Sequence, residues 1–208
     1  SIRSGQEIAL RSATNNLMAW MQVGEIFERA VEMEARQICG PHFEEHPLFS
    51  EMQSWGPYAL SGALQVIEVP RHHDFPELRR TPAHVRRLLA AMGNPHVVAF
   101  QTRNPMHRAH EELTKRAAAQ VNGSLIVHPV VGMTKPGDVD HYTRVRCYEQ
   151  VLRRYPEQTT IMSLLPLAMR MAGPREAVWH AIIRRNFGCS GFIVGRDHAG
   201  PGNSGNGT

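Results

Sequence analysis

The pattern of apolar and polar residues divides the chain into a first part with short β-strands and a second part in which strands and helices alternate. In the second part, roughly ten to twenty residues of helical pattern separate successive apolar runs, as in parallel sheets whose strands are joined by helices. The runs are Val97–Phe100, Ser124–Val131, Thr159–Leu165 and Gly191–Val194. Because they are apolar on both faces, we expect an α/β domain with helices on both sides of a parallel sheet.

The first part predicts a hairpin, a helix and a further strand. Ile8–Arg11 and Leu17–Val23 are apolar-rich and flank Ala13–Asn16, whose asparagines tolerate the dihedral angles of a turn. Glu28–Cys39 has a helical pattern with a glycine directly after it. Tyr58–Val69 returns to a β pattern.

A further helix separates the two parts. Thr81 suits its N-cap, Pro82 suits its first turn, and Gly93 suits its end. We therefore predict a β-rich N-terminal domain with a connecting segment over 1–93, and the α/β domain over 94–208.

Composition narrows the class of protein. The chain has 208 residues, of which 42% are hydrophobic and 20% charged, and its formal net charge is +4. It contains no apolar run long enough for a membrane span and no secretion signal. Its three cysteines do not suggest a disulfide framework. We expect a cytoplasmic globular protein that binds anions, with neither a membrane nor a nucleic acid as its partner.

The first candidate site lies directly after the strand Val97–Phe100. Asn104 suits the N-cap and Pro105 the first turn of a helix that continues through the pattern Met106–Gln120. The free N–H groups of that helix would then face the carboxyl edge of the sheet, where anions and nucleotides bind in parallel α/β proteins.

Two histidines and an arginine strengthen this interpretation. His107 and His110 are three positions apart, so both can reach one ligand, and Arg103 lies just before them. Such donors suit phosphoryl or nucleotidyl transfer, which depends on positioning and charge stabilisation more than on a nucleophile. The alternative is a solvated helix face or an adventitious metal site. We predict no resident metal ion.

Two more loops follow strands, and Arg170, which precedes another predicted helix N-terminus, is a further candidate for anion binding. Gly195–Gly202 combines glycines with Arg196 and His198, and would face the first loop across the sheet edge; the alternative is a plain glycine-rich turn. In Gly132–Asp138, Lys135 could meet a phosphate and Asp138 a magnesium-bound water, although both are common solvated residues in such loops.

The order and content of these motifs resemble the ATP sulfurylase (sulfate adenylyltransferase) family. The resemblance rests on Gln101–Asn104, His107–His110, Lys135–Asp138 and Gly195–Gly202 and extends over nearly the whole chain. It implies a PUA-like N-terminal domain and a Rossmann-like nucleotidyltransferase domain. The implied reaction is that of ATP, with Mg²⁺, and sulfate to give adenosine 5′-phosphosulfate and pyrophosphate.

The resemblance also implies a role for each motif residue. Sulfate binding falls to Gln101, Arg103 and the backbone at Ala199. Catalysis falls to Thr102, Arg103, Asn104, His107 and His110. ATP binding falls to Gln101, Thr102, Arg103, Asn104, His107, His110, Gly195, Arg196, Asp197 and His198.

The family continues past this point with a segment that closes the adenine pocket, so we expect the chain to be a fragment, incomplete in both domains, with weak or no activity of its own. Two alternatives stay open from the residues. One is another nucleotidyltransferase with an HxxH motif, and the other is a non-catalytic RNA-binding PUA-like module. A homo-oligomer is also left open.

Overall fold

The computed structural model describes residues 1–134 and 137–201. They form two compact units, one over Ser1–His73 and one from Asp74 onward. The division lies before the helix over Pro82–Ala91 (α3) rather than after it near Gly93, where the sequence placed it. α3 belongs to the second unit because its buried Val85 and Leu89 pack into that unit's core.

The first unit contains an antiparallel sheet in the order β1-β2-β3. Its strands are β1 (Glu7–Arg11), β2 (Leu17–Glu28) and β3 (Tyr58–Val66). Asn15 takes a φ of +66° in the tight turn between the first two, which confirms the predicted hairpin. β2 runs through Glu28, so the prediction that this residue begins a helix was wrong; β2 continues because it pairs with β3 as far as Glu28 and Tyr58.

Two short helices form a separate apolar cluster in this unit. They are α1 (Val31–Cys39) and α2 (Pro47–Ser54), with a 3₁₀ turn between them. The pattern predicted only the first. The cluster consists of Ala35, Phe43, Leu48, Phe49 and Met52.

The second unit contains a parallel sheet in the order β6-β5-β4-β7. The strands are β4 (Val97–Phe100), β5 (Ser124–Val127), β6 (Thr160–Met162) and β7 (Gly191–Ile193). The predicted runs are correct in place but too long, because the chain after β5 and β6 turns away from the sheet and keeps a single bridge between Val130 and Leu165. In chain order the strands are arranged 3-2-1-4, as in Rossmann-like folds.

Helices cover both faces of this sheet. Besides α3 they are α4 (Arg108–Gln120), α5 (His141–Leu152) and α6 (Pro174–Asn186). On one face Val145 and Tyr148 of α5 pack against apolar strand residues. On the other face residues of α3 do so, together with Phe187 at the end of α6. The predicted α/β architecture is confirmed.

None of the helices in residues 1–134 and 137–201 combines the length and apolar character that a membrane crossing needs.

Candidate active site

The two loops singled out from the sequence leave the sheet side by side. β4 pairs in parallel with β7, with Phe100 opposite Ile193. Gln101 therefore begins the first loop next to Val194, where the second begins. The strand order reverses direction at this pair of strands, and in open α/β sheets the ligand crevice lies outside the carboxyl ends of such strands.

The first loop is held by its own side chains before α4 begins. Thr102 Oγ1 donates to the Asn104 carbonyl at 2.7 Å and accepts from the Asn104 N–H at 3.1 Å. Tyr148 of α5 donates to the same carbonyl at 2.8 Å. This turn keeps Asn104 out of the helix, so its prediction as the N-cap was wrong; α4 begins at Arg108 and its N-cap is His107.

His107 and His110 stack at the start of α4. Their ring centroids are 4.0 Å apart, and the His107 N–H points at His110 Nδ1 from 3.5 Å. Burial lowers the pKa of His110, and the neighbouring His107 lowers it further. His110 is thus a neutral ring whose Nδ1 faces a backbone donor, which leaves its Nε2–H to donate to a ligand.

Gln101 is buried with part of its hydrogen-bonding capacity unused. Its side-chain Nε2 lies 3.9 Å from Met169 Sδ, and its Oε1 is buried without a hydrogen-bond partner among the described residues. Thioether sulfur is a weak acceptor, so rotating the amide by half a turn costs little and would present the N–H groups instead. A buried amide of this kind is suited to a polar ligand.

Arg103 makes a close ion pair with Asp138. Its Nη1 lies 2.5 Å from both carboxylate oxygens, and the two side chains are 24% and 12% exposed. Asp138 follows β5, the neighbour of β4, so its carboxylate returns to the same sheet edge. The sequence suggested a role for Asp138 at magnesium; in the structure it is the partner of the arginine predicted to bind the anion.

The second loop is a tight turn that depends on a glycine. A Cβ on Gly200 would lie 1.9 Å from Asp197 Oδ1, so the Asp197 carboxylate packs against bare backbone. Ala199 takes a φ of +54°, and its carbonyl accepts from the Gly173 N–H at 2.9 Å. Gly195, Arg196 and Asp197 are exposed, and His198 is half-buried.

A connecting segment, of which only Arg170 was a candidate from the sequence, joins these loops. Residues 163–173 leave β6 at one edge of the sheet and reach the loop after β7 at the other. On the way Leu165 bridges Val130, Met169 contacts Gln101, and Gly173 donates to Ala199. The segment passes below the loops at the carboxyl ends of the strands, and we call it the floor segment.

Two remaining candidates are not placed as ligands. Lys135 and Pro136 lie outside the described residues. Arg170, considered for anion binding, donates its backbone N–H to Glu176 Oε1 at 2.8 Å. Among the residues described, no group of three or more His, Cys, Asp or Glu side chains is arranged to hold a metal ion.

Both units of the chain match known protein families. A PUA-like domain model matches residues 1–69, and the ATP-sulfurylase model matches residues 76–204. A sulfate adenylyltransferase of Saccharomyces cerevisiae is 50% identical over 207 residues, which is 99% of this chain and 40% of that protein. One of Eremothecium gossypii is 49% identical over 208 residues, covering 100% of this chain and 41% of that protein.

The fold has a counterpart among solved structures. A hexameric APS kinase from Thiobacillus denitrificans superposes with a TM-score of 0.73 at 30% identity, over 94% of this chain and 35% of that one. This chain spans about 40% of the length of the two sulfate adenylyltransferases named above. The match of the family model to the α/β unit, motif loops included, shows that the chain belongs to the ATP-sulfurylase family.

Proposed function

We propose that this chain forms part of an enzyme that transfers the adenylyl group of ATP to sulfate, giving adenosine 5′-phosphosulfate and pyrophosphate. The observation that carries the proposal is the placement of the Arg103 loop beside the Gly195–Ala199 loop, at the strand pair where the sheet order reverses. The names of the relatives at about 50% identity support the same reaction.

The chemistry asks the protein for positioning and charge stabilisation. A sulfate oxygen attacks the α-phosphorus of ATP, the bond from that phosphorus to the bridging oxygen breaks, and pyrophosphate leaves with the electron pair. Sulfate is already a dianion at neutral pH, so this attack needs no general base. Cationic and N–H donors that hold the two anions in line are what the loops can supply.

Each candidate has a proposed part in that arrangement. Gln101, Arg103 and the backbone at Ala199 bind sulfate. His107 and His110 stabilise the β- and γ-phosphates, and the neutral His110 does so through its Nε2–H.

The remaining candidates frame the nucleotide. Thr102 and Asn104, locked to each other by two hydrogen bonds, complete the catalytic segment with Arg103. Gly195–His198 line the ATP pocket. Mg²⁺ enters with ATP as part of the substrate.

The proposed compartment is the cytoplasm, because Cys147 and Cys189 are not joined in a disulfide, as expected in a reducing environment. Assembly as a homo-oligomer stays a proposal.

The test is an adenylyl-transfer assay. The full-length enzyme of which this chain is proposed to form part is incubated with ATP, Mg²⁺, labelled sulfate and pyrophosphatase, and adenosine 5′-phosphosulfate is separated by chromatography. Arg103→Ala should lower turnover about a hundredfold or more, because it removes a positioned donor. Arg116→Ala is the matched control, since that arginine on α4 is 79% exposed and pairs only with Glu112 among the described residues.

Two results would count against the proposal. One is wild-type turnover in a folded Arg103→Ala variant. The other is adenylyl transfer to a different acceptor, such as a phosphorylated cofactor precursor, in preference to sulfate. The second outcome would favour another HxxH nucleotidyltransferase.

A further inference from the structure

A chain of three ionisable side chains runs from inside α6 to the second loop. Glu176 and His180 are 2% and 0% exposed. Glu176 Oε1 lies 3.1 Å from His180 Nε2, and His180 Nδ1 lies 3.0 Å from His198 Nε2. The chain ends at the one histidine of the loop that is proposed to bind ATP, and neither Glu176 nor His180 was expected from the sequence.

The carboxylate fixes where the first proton sits. Burial raises the pKa of Glu176, but His180 and the N–H groups of Arg170 and Ala172 outweigh it, so the net pKa lies below the ordinary value. Glu176 is therefore ionised. Glu176 Oε1 and His180 Nε2 lie 3.1 Å apart, although their geometry is not that of a straight hydrogen bond. Two lone pairs facing each other at this distance would repel. We therefore place the proton of His180 on Nε2.

The same reasoning fixes the second proton. Glu176 and Arg184 are both buried beside His180, and their opposite charges already balance within this cluster. With the Nε2 proton of His180 facing Glu176, we place the proton of the 3.0 Å contact on His198 Nε2, and His180 accepts it at Nδ1. His198 is itself neutral, because burial, followed by His180 and Arg184, lowers its pKa to about 4.

We infer that Glu176 and His180 are positioning residues that hold His198 in one tautomer, with its Nδ1 left as a hydrogen-bond acceptor for the nucleoside part of ATP. An acceptor suits a ribose hydroxyl or the exocyclic amine of adenine and repels phosphate oxygens. The inference rests on the proposed function insofar as it takes this loop to bind ATP.

The backbone around the chain supports a positioning role. Glu176 accepts the N–H groups of Arg170 and Ala172 at 2.8 and 2.9 Å. Gly173 then donates to Ala199, the residue after His198. One buried carboxylate thus ties the floor segment to the second loop, and the His198 ring is further fixed edge-on to Phe192 at 5.3 Å between centroids.

Two substitutions of His180 separate its contact with Glu176 from its contact with His198. The amide of His180→Asn can occupy the place of Nδ1 and still accept from His198. The amide of His180→Gln reaches the place of Nε2, which keeps a partner for Glu176 and leaves His198 without one. We expect His180→Asn to bind MgATP within about threefold of wild type and His180→Gln to bind it about tenfold more weakly.

Tripolyphosphate, which lacks ribose and base, distinguishes positioning from general damage. If Glu176 and His180 act through the nucleoside part of ATP, tripolyphosphate should bind with the same affinity to wild type, His180→Asn and His180→Gln. His128→Leu is the control, because it removes another fully buried imidazole, one whose ring nitrogens have no hydrogen-bond partner in residues 1–134 and 137–201. It should leave both affinities unchanged.

The tautomer is measured in the ligand-free protein by long-range ¹H–¹⁵N correlation of the histidine rings. We expect the proton of His198 on Nε2 in wild type and His180→Asn, and a mixture in His180→Gln. A proton on Nδ1 of His198 in wild type would overturn the inference, as would equal loss of ATP and tripolyphosphate binding in a folded His180→Gln protein. Failure of wild type to bind ATP with the expected tautomer present would instead contradict the proposed function.

Discussion

Arg103 and Asp138 form an ion pair in which a single guanidinium nitrogen lies 2.5 Å from both oxygens of the carboxylate. The arginine proposed to bind sulfate is therefore already neutralised by an anion. Sulfate has to displace the carboxylate or share the guanidinium with it, and Arg103 has donors on its other nitrogens for the second arrangement.

Removing this competition should strengthen anion binding. We predict that Asp138→Asn binds sulfate about twofold to fivefold more tightly, since a partly exposed ion pair contributes only about 0.2–1 kcal/mol. Sulfate titration at constant ionic strength in chloride, followed by calorimetry, measures the change. Asp140→Asn is the control: it removes the same charge two positions along the chain, where the carboxylate caps α5 through the Thr143 N–H. Weaker binding in Asp138→Asn would mean that the carboxylate orients Arg103 for the ligand.

The floor segment makes a second prediction, on stability. A Cβ on Gly132 would lie 2.2 Å from the Leu167 carbonyl oxygen, and backbone cannot move aside as a side-chain tip can. Gly132→Ala should therefore lower the free energy of unfolding by about 1–3 kcal/mol. At Gly195 a Cβ meets nothing within 4 Å, so Gly195→Ala should be neutral or slightly stabilising. Urea unfolding of both variants tests the pair, and equal stability would show that the floor segment does not pack tightly on Gly132.

Much of the α/β unit could be predicted because its information is local. Each strand is a short apolar run, and β4, β5 and β7 lie where the pattern placed them. Because the carboxyl ends of parallel strands lie at one edge of the sheet, the Arg103 and Gly195 loops could be expected to lie close together without knowledge of any contact. Helix α2 was missed, because Pro47–Ser54 is a short helix whose apolar residues are buried in a small local cluster.

Local sequence patterns do not reveal side-chain partners that are distant along the chain. The local pattern around Arg79 and Arg80 indicates no partner for either side chain. In the structure, Arg79 bonds the Asp74 carboxylate, and Arg80 donates to the Met162 carbonyl at 2.6 Å. The same limit hid the Glu176–His180–His198 chain, because spacing of four along α6 places Glu176 by His180 but cannot reveal His198.

Asp74 supplies the last prediction, on pH. Its carboxylate accepts from Arg79 Nη2 at 2.5 Å and contacts His141 Nε2 at 2.9 Å, joining the segment before α3 to the start of α5. The bond from Arg79 is the largest cause that lowers the pKa of Asp74 from 3.8 to about 2. The folded state therefore binds this proton more weakly than the unfolded state, so the stabilisation is complete above the unfolded pKa and is lost as the pH falls towards the folded one.

Wild type should accordingly be more stable than Asp74→Asn near neutral pH, and the difference should shrink between about pH 4 and about pH 2. Urea unfolding of both proteins across that range measures it. Glu157→Gln, which removes an exposed carboxylate from the turn before β6, should show no such convergence with wild type. A gap between wild type and Asp74→Asn that stays constant with pH would show that Asp74 stabilises the unit through shape and neutral hydrogen bonds. A gap that closes would identify the ionised carboxylate as what holds the segment before α3 to α5.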